Sequence, residues 1–234
     1  MNTRCDDSAL PREGQVLVIS GVDGAGKSTV VDNLLSMLEA TRRVERVSAG
    51  KPQGGRLEAL RSWLRNSDGG GTNGGDRRPR HRARILRDAL PSLVLALLRL
   101  KVSRRARALA RSGVTVVSDR WPTLEHGKMD GPKIATDLPG LTGAVLRVLA
   151  GWEMAIYRRM EPADIAFYLI VDEQVAIQRN AERVKAGKES TEDIVRRYRE
   201  NIDFHPIAHR VERIGNNGTL QEVLTTLEGR LGGL

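Results

Sequence analysis

Val16-Leu17-Val18-Ile19-Ser20-Gly21-Val22-Asp23-Gly24-Ala25-Gly26-Lys27-Ser28 is the stretch on which the reading of this 234-residue chain turns. Val16 to Ile19 form a continuous apolar run, the pattern of a strand covered on both faces of a parallel sheet. Gly21 to Ser28 then satisfies G-x-x-x-x-G-K-[S/T] at every fixed position. Gly21, Gly24 and Gly26 allow backbone conformations and approaches that a Cβ would block, so several N–H groups can converge on phosphate oxygens. A helix from about Lys27 adds its positive N-terminal dipole, and the amphipathic segment VVDNLLSMLEA continues it. The spacing predicts an ATP site over Gly21, Asp23, Gly24, Ala25, Gly26, Lys27, Ser28 and Thr29. Lys27 would reach the β- and γ-phosphates and the Ser28 hydroxyl would ligate Mg²⁺. The competing reading is a glycine-rich turn that happens to fit.

Composition narrows the class. The length suits one α/β domain, residues 15–234, after a loose polar leader at 1–14. Hydrophobic residues make up 40% of the chain but aromatics only 3%, so the core must be mostly Val, Leu, Ile and Ala. A net charge of +9 fits a site for polyanionic nucleotides. It also fits nucleic-acid binding, but single-strand binding needs aromatic stacking platforms, and no nucleic-acid motif occurs. The single Cys5 offers no disulfide framework or metal cluster, which suits a reducing cytosol. No signal peptide is expected at the polar N-terminus, and the apolar runs Leu93–Leu98 and Ile165–Val171 are far too short to span a bilayer. The expected protein is cytoplasmic, without nucleic-acid or membrane partners; a homodimer stays open.

The form GVDGAGKST, residues 21–29, with Asp23 three places before the second fixed glycine, resembles the P-loop of thymidylate kinases and their relatives. That resemblance extends along the chain. After an alternating second strand at 43–48, the segment Ala49-Gly50-Lys51-Pro52-Gln53-Gly54-Gly55 stands where the family's REPGGT loop holds the acceptor. Lys51 would replace the basic residue; a plain turn is the alternative. A glycine-rich loop at about 66–79 leads into Arg77, Arg78, Arg80, Arg82, Arg84 and Arg87. These form either a solvated face or, as in related kinases, supply a phosphate contact; helical phase lets Arg80 point with Arg84 or with Arg87, and Arg84 is carried as the candidate. A helical pattern from Ile85 to Arg111, broken near Pro91, stops at Gly113.

Val114–Ser118 reads as the third strand and delivers Asp119-Arg120, which resembles the family's DR(Y/H) element. At a strand's carboxyl end beside the P-loop, Asp119 can organise Mg²⁺ and Arg120 can neutralise a transferring or accepting phosphate. Glu125 and Asp130 in the next loop are candidate substrate contacts, or turn and capping residues. A helix follows over 141–159, with Glu153 and Tyr157 one turn apart. The fourth strand is Ile165–Val171. Residues 178–190 match the family's lid, where Arg179 and Arg183 share a helix face at i and i+4. A fifth strand at Val211–Ile214 leads to the turn holding Asn216, which in the family meets the adenine. Asp23 matches an Asp that lies near the acceptor's sugar.

The expected fold is α/β: a P-loop NTPase fold with a five-stranded parallel sheet, helices on both faces and a lid segment. The expected activity is transfer of the ATP γ-phosphoryl group, with Mg²⁺, to a nucleoside monophosphate such as dTMP. Lys27, Asp119, Arg120, Arg179 and Arg183 would carry the chemistry, with Ser28 and Asp119 at the metal. Asp23, Lys51, Arg84, Arg120, Glu125 and Asp130 would face the acceptor. A kinase acting on a hydroxyl of a sugar, nucleoside or specialised metabolite is the alternative. A P-loop ATPase or switch without phosphoryl transfer to an acceptor is a third reading.

Overall fold

Val16 and Val18 point to one face of the sheet and Leu17 and Ile19 to the other, and all four are buried. That two-sided burial is why β1 (Val16–Gly21) is apolar without alternation. The computed structural model describes residues 14–50, 77–134, 136–182 and 191–231. Around β1 stand β2 (Val44–Val47), β3 (Thr115–Ser118), β4 (Ala163–Ile170) and β5 (Ala208–Gly215). The order is β2-β3-β1-β4-β5, with every pair parallel. The register sets Val18 beside Ser118 on one side and Ala166 on the other. Successive connections leave β1 in opposite directions, so the loop after it opens at the switch point where such sheets bind ligands. β5 is longer than the expected four residues, because it pairs with β4 from Ala208 to Gly215 although most of its side chains are polar.

Six helices are described: α1 (Lys27–Glu39), α2 (Arg77–Arg111), α3 (Gly140–Tyr157), α4 (Glu173–Glu182), α5 (Thr191–Asn201) and α6 (Leu220–Leu231). On one face, Val30, Val31 and Leu34 of α1 and Val223 and Leu227 of α6 pack on Leu17, Ile19, Phe167 and Leu169. On the other, Ala106 and Ala110 of α2 sit against Val16, Val18 and Val116, with Trp121. Each large side chain buried this fully stabilises by roughly 1.5–3 kcal/mol.

Pro91 does not break its helix. The pattern of the sequence predicts an interruption there, yet α2 runs unbroken for 35 residues. A mid-helix proline costs about 3 kcal/mol. Packing offsets that cost: Ala89 and Leu93 join Ile134, Leu146, Leu149 and Ala150 in a cluster between α2 and α3. Among the described residues no helix is long and apolar enough to cross a membrane.

Candidate active site

The turn from β1 into α1 is built around Gly26, whose φ of 79° lies in the left-handed region. A Cβ there would come within 2.9 Å of the Asn216 amide nitrogen, so glycine is needed for conformation and for space. Lys27 is only 9% exposed, and its Nζ donates to the carbonyl oxygens of Gly21 at 3.0 Å and Val22 at 2.7 Å. Ser28 and Thr29 are exposed in the first turn of α1.

Asn216 holds the loop from behind. Its buried Nδ2 donates to the Ala25 carbonyl at 2.7 Å, its backbone N–H donates to Ile170 O at 2.7 Å, and its own carbonyl accepts from Arg179 Nη1 at 2.9 Å. The residue expected at the adenine therefore clamps the phosphate loop to β5. Replacing Asn216 by Ala leaves the Ala25 carbonyl buried without that donor, which costs about 1–3 kcal/mol. We expect urea midpoints to fall accordingly and ATP affinity to drop about tenfold, as read by competition with a fluorescent nucleotide.

Three cations from three elements meet one carboxylate. Asp23 Oδ1 lies 3.8 Å from Lys27 Nζ and 3.8 Å from an Arg120 nitrogen, and Oδ2 lies 3.7 Å from Arg197 on α5. Charges this far apart attract by about 1 kcal/mol in water and about 4 at an effective dielectric of 20. Asp23 is 30% exposed, so the lower end applies, and a polyanion can outcompete it. Arg120 reaches the cluster by passing over Gly50, where a Cβ would stand 2.8 Å from Arg120 Cδ.

Asp119 directly follows β3, with Oδ1 buried and without a hydrogen-bond partner among the described residues. Its Oδ2 lies 3.5 Å from Arg46, which also bonds Asp32 at 2.6 Å. A buried acceptor left unpaired suits a hard cation or its waters. Among the described residues no three His, Cys, Asp or Glu side chains converge as a cage. Mg²⁺ needs none, since one or two protein oxygens with substrate phosphates suffice. The residues present fit Mg²⁺.

The loop 121–134 is pinned on both sides. Towards α5, Lys128 Nζ donates to Glu200 O, Met129 N to Asn201 Oδ1, and Glu125 Oε1 accepts from the His205 backbone N–H at 2.8 Å. Towards α3, buried Glu153 accepts from the backbone N–H groups of Lys133 and Ile134 at 3.0 Å. Between them Arg99, from the middle of α2, donates to Asp130 Oδ1 at 2.6 Å, Tyr157 Oη at 2.5 Å and Ala49 O at 3.3 Å. Burial raises the Tyr157 phenol above its ordinary pKa against the opposing pull of Arg99, so it stays a neutral hydroxyl. Asp130 Oδ2 in turn lies 3.7 Å from Arg120. Breaking a buried pair of this kind by removing one partner costs about 3–5 kcal/mol.

Asp23, Lys27, Asp119, Arg120 and Asp130 are thus gathered around the strand ends, with Arg179 beside the loop through Asn216. Glu125 is turned to His205. Lys51 and Arg183 lie outside the described residues, as do most of the glycine-rich loop and residues 183–190 of the lid; Arg84 belongs to α2, its side chain outside the description. The helices flanking 183–190 are joined by Arg199, which donates twice to Glu173 at 3.0 Å and holds that carboxyl below its usual range. Sequence reasoning missed Arg46, Arg99 and Arg197. Arg99 did leave a trace: Ala96, Arg99, Ser103, Ala106 and Ala110 follow 3-4-3-4 spacing, with one arginine in a stripe of small residues.

The sheet order, the phosphate loop after β1 and the Asp-Arg pair after β3 define a P-loop NTPase fold of the thymidylate kinase type. The solved thymidylate kinase of Candida albicans superposes with a TM-score of 0.52 at 18% identity, covering 94% of this chain and 92% of that one. In sequence, the chain is 29% identical over 174 residues to the uncharacterized ATP-binding protein YghR of Escherichia coli strain K12. The match spans 70% of this chain and 68% of the relative, and YghR of Escherichia coli O6:H1 strain CFT073 gives the same values. No family model matches the chain.

Proposed function

We propose that this chain is an ATP- and Mg²⁺-dependent phosphotransferase that moves the γ-phosphoryl group of ATP onto a nucleoside monophosphate, dTMP or a close relative. The observation that carries the reading is the convergence of Lys27, Arg120 and Arg197 on Asp23 beside the P-loop. One carboxylate with three cations around it is a site where phosphoryl oxygens find their charge matched. ATP as the donor is further supported by the likeness to a relative named as ATP-binding.

In the reaction an acceptor phosphate oxygen attacks the γ-phosphorus. The new P–O bond forms as the bond to the bridging oxygen breaks, and ADP leaves with that electron pair. An anionic acceptor brings its own lone pair, so no side chain has to take a proton. Lys27 lies along the β- and γ-phosphates, while Arg120 and Arg197 neutralise charge between donor and acceptor. Arg179 and Arg183 add positive charge from the lid side, and Lys51 and Arg84 are the acceptor-side cations. Ser28 and Asp119 would hold Mg²⁺, which when bound draws charge from the phosphate oxygens and fixes their geometry.

A hydroxyl acceptor needs a carboxylate positioned to take its proton. Asp130 has Arg99 on one oxygen and Arg120 near the other, and Glu125 Oε1 receives His205; both arrangements favour the phosphate acceptor. The test is ATP consumption with a panel of nucleotides, nucleosides, sugars and other alcohols. ADP formation that requires a nucleoside monophosphate is expected. Consumption with alcohols alone, or with no acceptor in the panel, overturns the reading.

A further inference from the structure

We propose that Asp130 is a positioning residue: its carboxylate, held on one oxygen by Arg99, aims Arg120 at the phosphate loop with the other. The role given to Arg120 rests on the phosphotransferase reading; the restraint itself does not.

Arg120 is stretched between two unlike carboxylates. One guanidinium nitrogen lies 3.8 Å from Asp23 and the other 3.7 Å from Asp130, while the aliphatic stem crosses Gly50, where there is no Cβ to block it. Asp23 is partly exposed and shared with Lys27 and Arg197. The Asp130 side chain is 4% exposed, and Arg99, equally buried, anchors it at 2.6 Å. A phosphoryl group competing for Arg120 therefore displaces the Asp23 end while the Asp130 end stays fixed. Arg99 spreads that hold over four elements, because it also donates to Ala49 O after β2 and to Tyr157 on α3.

The backbone supports the assignment. Asp130 is the only non-glycine residue with positive φ among the described residues, at 64°. Left-handed backbone at such a residue persists where surroundings over-determine it, and it concentrates at functional sites. A buried ion pair adds little net stability over an apolar pair of similar volume. What an apolar pair cannot do is direct an arginine.

The test compares the wild type with the double variant Arg99→Met/Asp130→Asn. It removes both buried charges together, and Asn tolerates the left-handed backbone. The single Asp130→Asn strands Arg99 and serves only to show that this cost is relieved in the double variant. Three readings are taken: ATP affinity by fluorescent-nucleotide competition, kcat and KM for turnover, and the Nε–Hε resonance of Arg120, assigned through Arg120→Lys. We expect ATP affinity and KM within about threefold, kcat lower by about tenfold to a hundredfold, and an averaged, rapidly exchanging Arg120 resonance. A double variant whose Arg120 resonance stays as restrained as in the wild type overturns the proposal. A wild type without turnover defeats the phosphotransferase reading instead, and the resonance still decides the restraint.

Discussion

Lys27→Met is expected to lower nucleotide turnover by about a thousandfold or more while the chain stays folded. The Lys27 ammonium is buried at the mouth of the loop and donates to Gly21 O and Val22 O. In the proposed reaction the same cation would lie against the β- and γ-phosphates, where charge grows in the transition state and a fixed donor is worth most. Methionine keeps the unbranched stem and removes only the charge and its donors. Losing two hydrogen bonds to carbonyls costs about 1–3 kcal/mol in all, which a domain of this size tolerates. Turnover and a urea melt on the same preparation check both halves. Near wild-type turnover in the folded variant removes the P-loop from the chemistry.

Asp119→Asn is the second large effect, expected at about a hundredfold in kcat at moderate Mg²⁺. The substitution preserves shape and removes the charge whose buried Oδ1 has no hydrogen-bond partner among the described residues. It also ends the ion pair with Arg46, but at 3.5 Å and with Arg46 41% exposed that pair contributes under about 1 kcal/mol. Stability should thus be nearly unchanged. The half-saturating Mg²⁺ concentration should rise about tenfold to a hundredfold, with part of the rate recovered at high Mg²⁺. An unchanged Mg²⁺ curve removes Asp119 from the metal and leaves it a partner of Arg46.

These two candidate residues could be picked out in the sequence because the pattern that marks them is local. The strand, the glycines and Lys27 lie within a dozen residues, and Asp119-Arg120 directly follows an apolar strand. Arg197 was not legible: it reaches Asp23 only because α5 lies over the strand ends, a long-range placement that helix periodicity does not encode. Arg99 and Asp130 are 31 residues apart, and nothing in either neighbourhood announces the other. Asn216, expected from the sequence in the turn that meets the adenine, bonds Ala25 O with its amide, a contact set by tertiary packing. Pro91 shows the opposite case, where a strong local signal yields to the packing of α2 on α3.

The two margins of the sheet also decide how the chain behaves in company. A parallel sheet ends in rows of open amide and carbonyl groups that another chain's strand can extend, the first step towards aggregates. At one margin β2 offers only four residues. At the other, β5 is long but carries His209, Arg210, Glu212 and Arg213 in its middle, with His209, Arg210 and Arg213 exposed. A strand arriving there would have to strip water from these charges and lie against like charge on a second copy. Colloidal stability is thus written into the margins of the same sheet whose centre holds the phosphate loop.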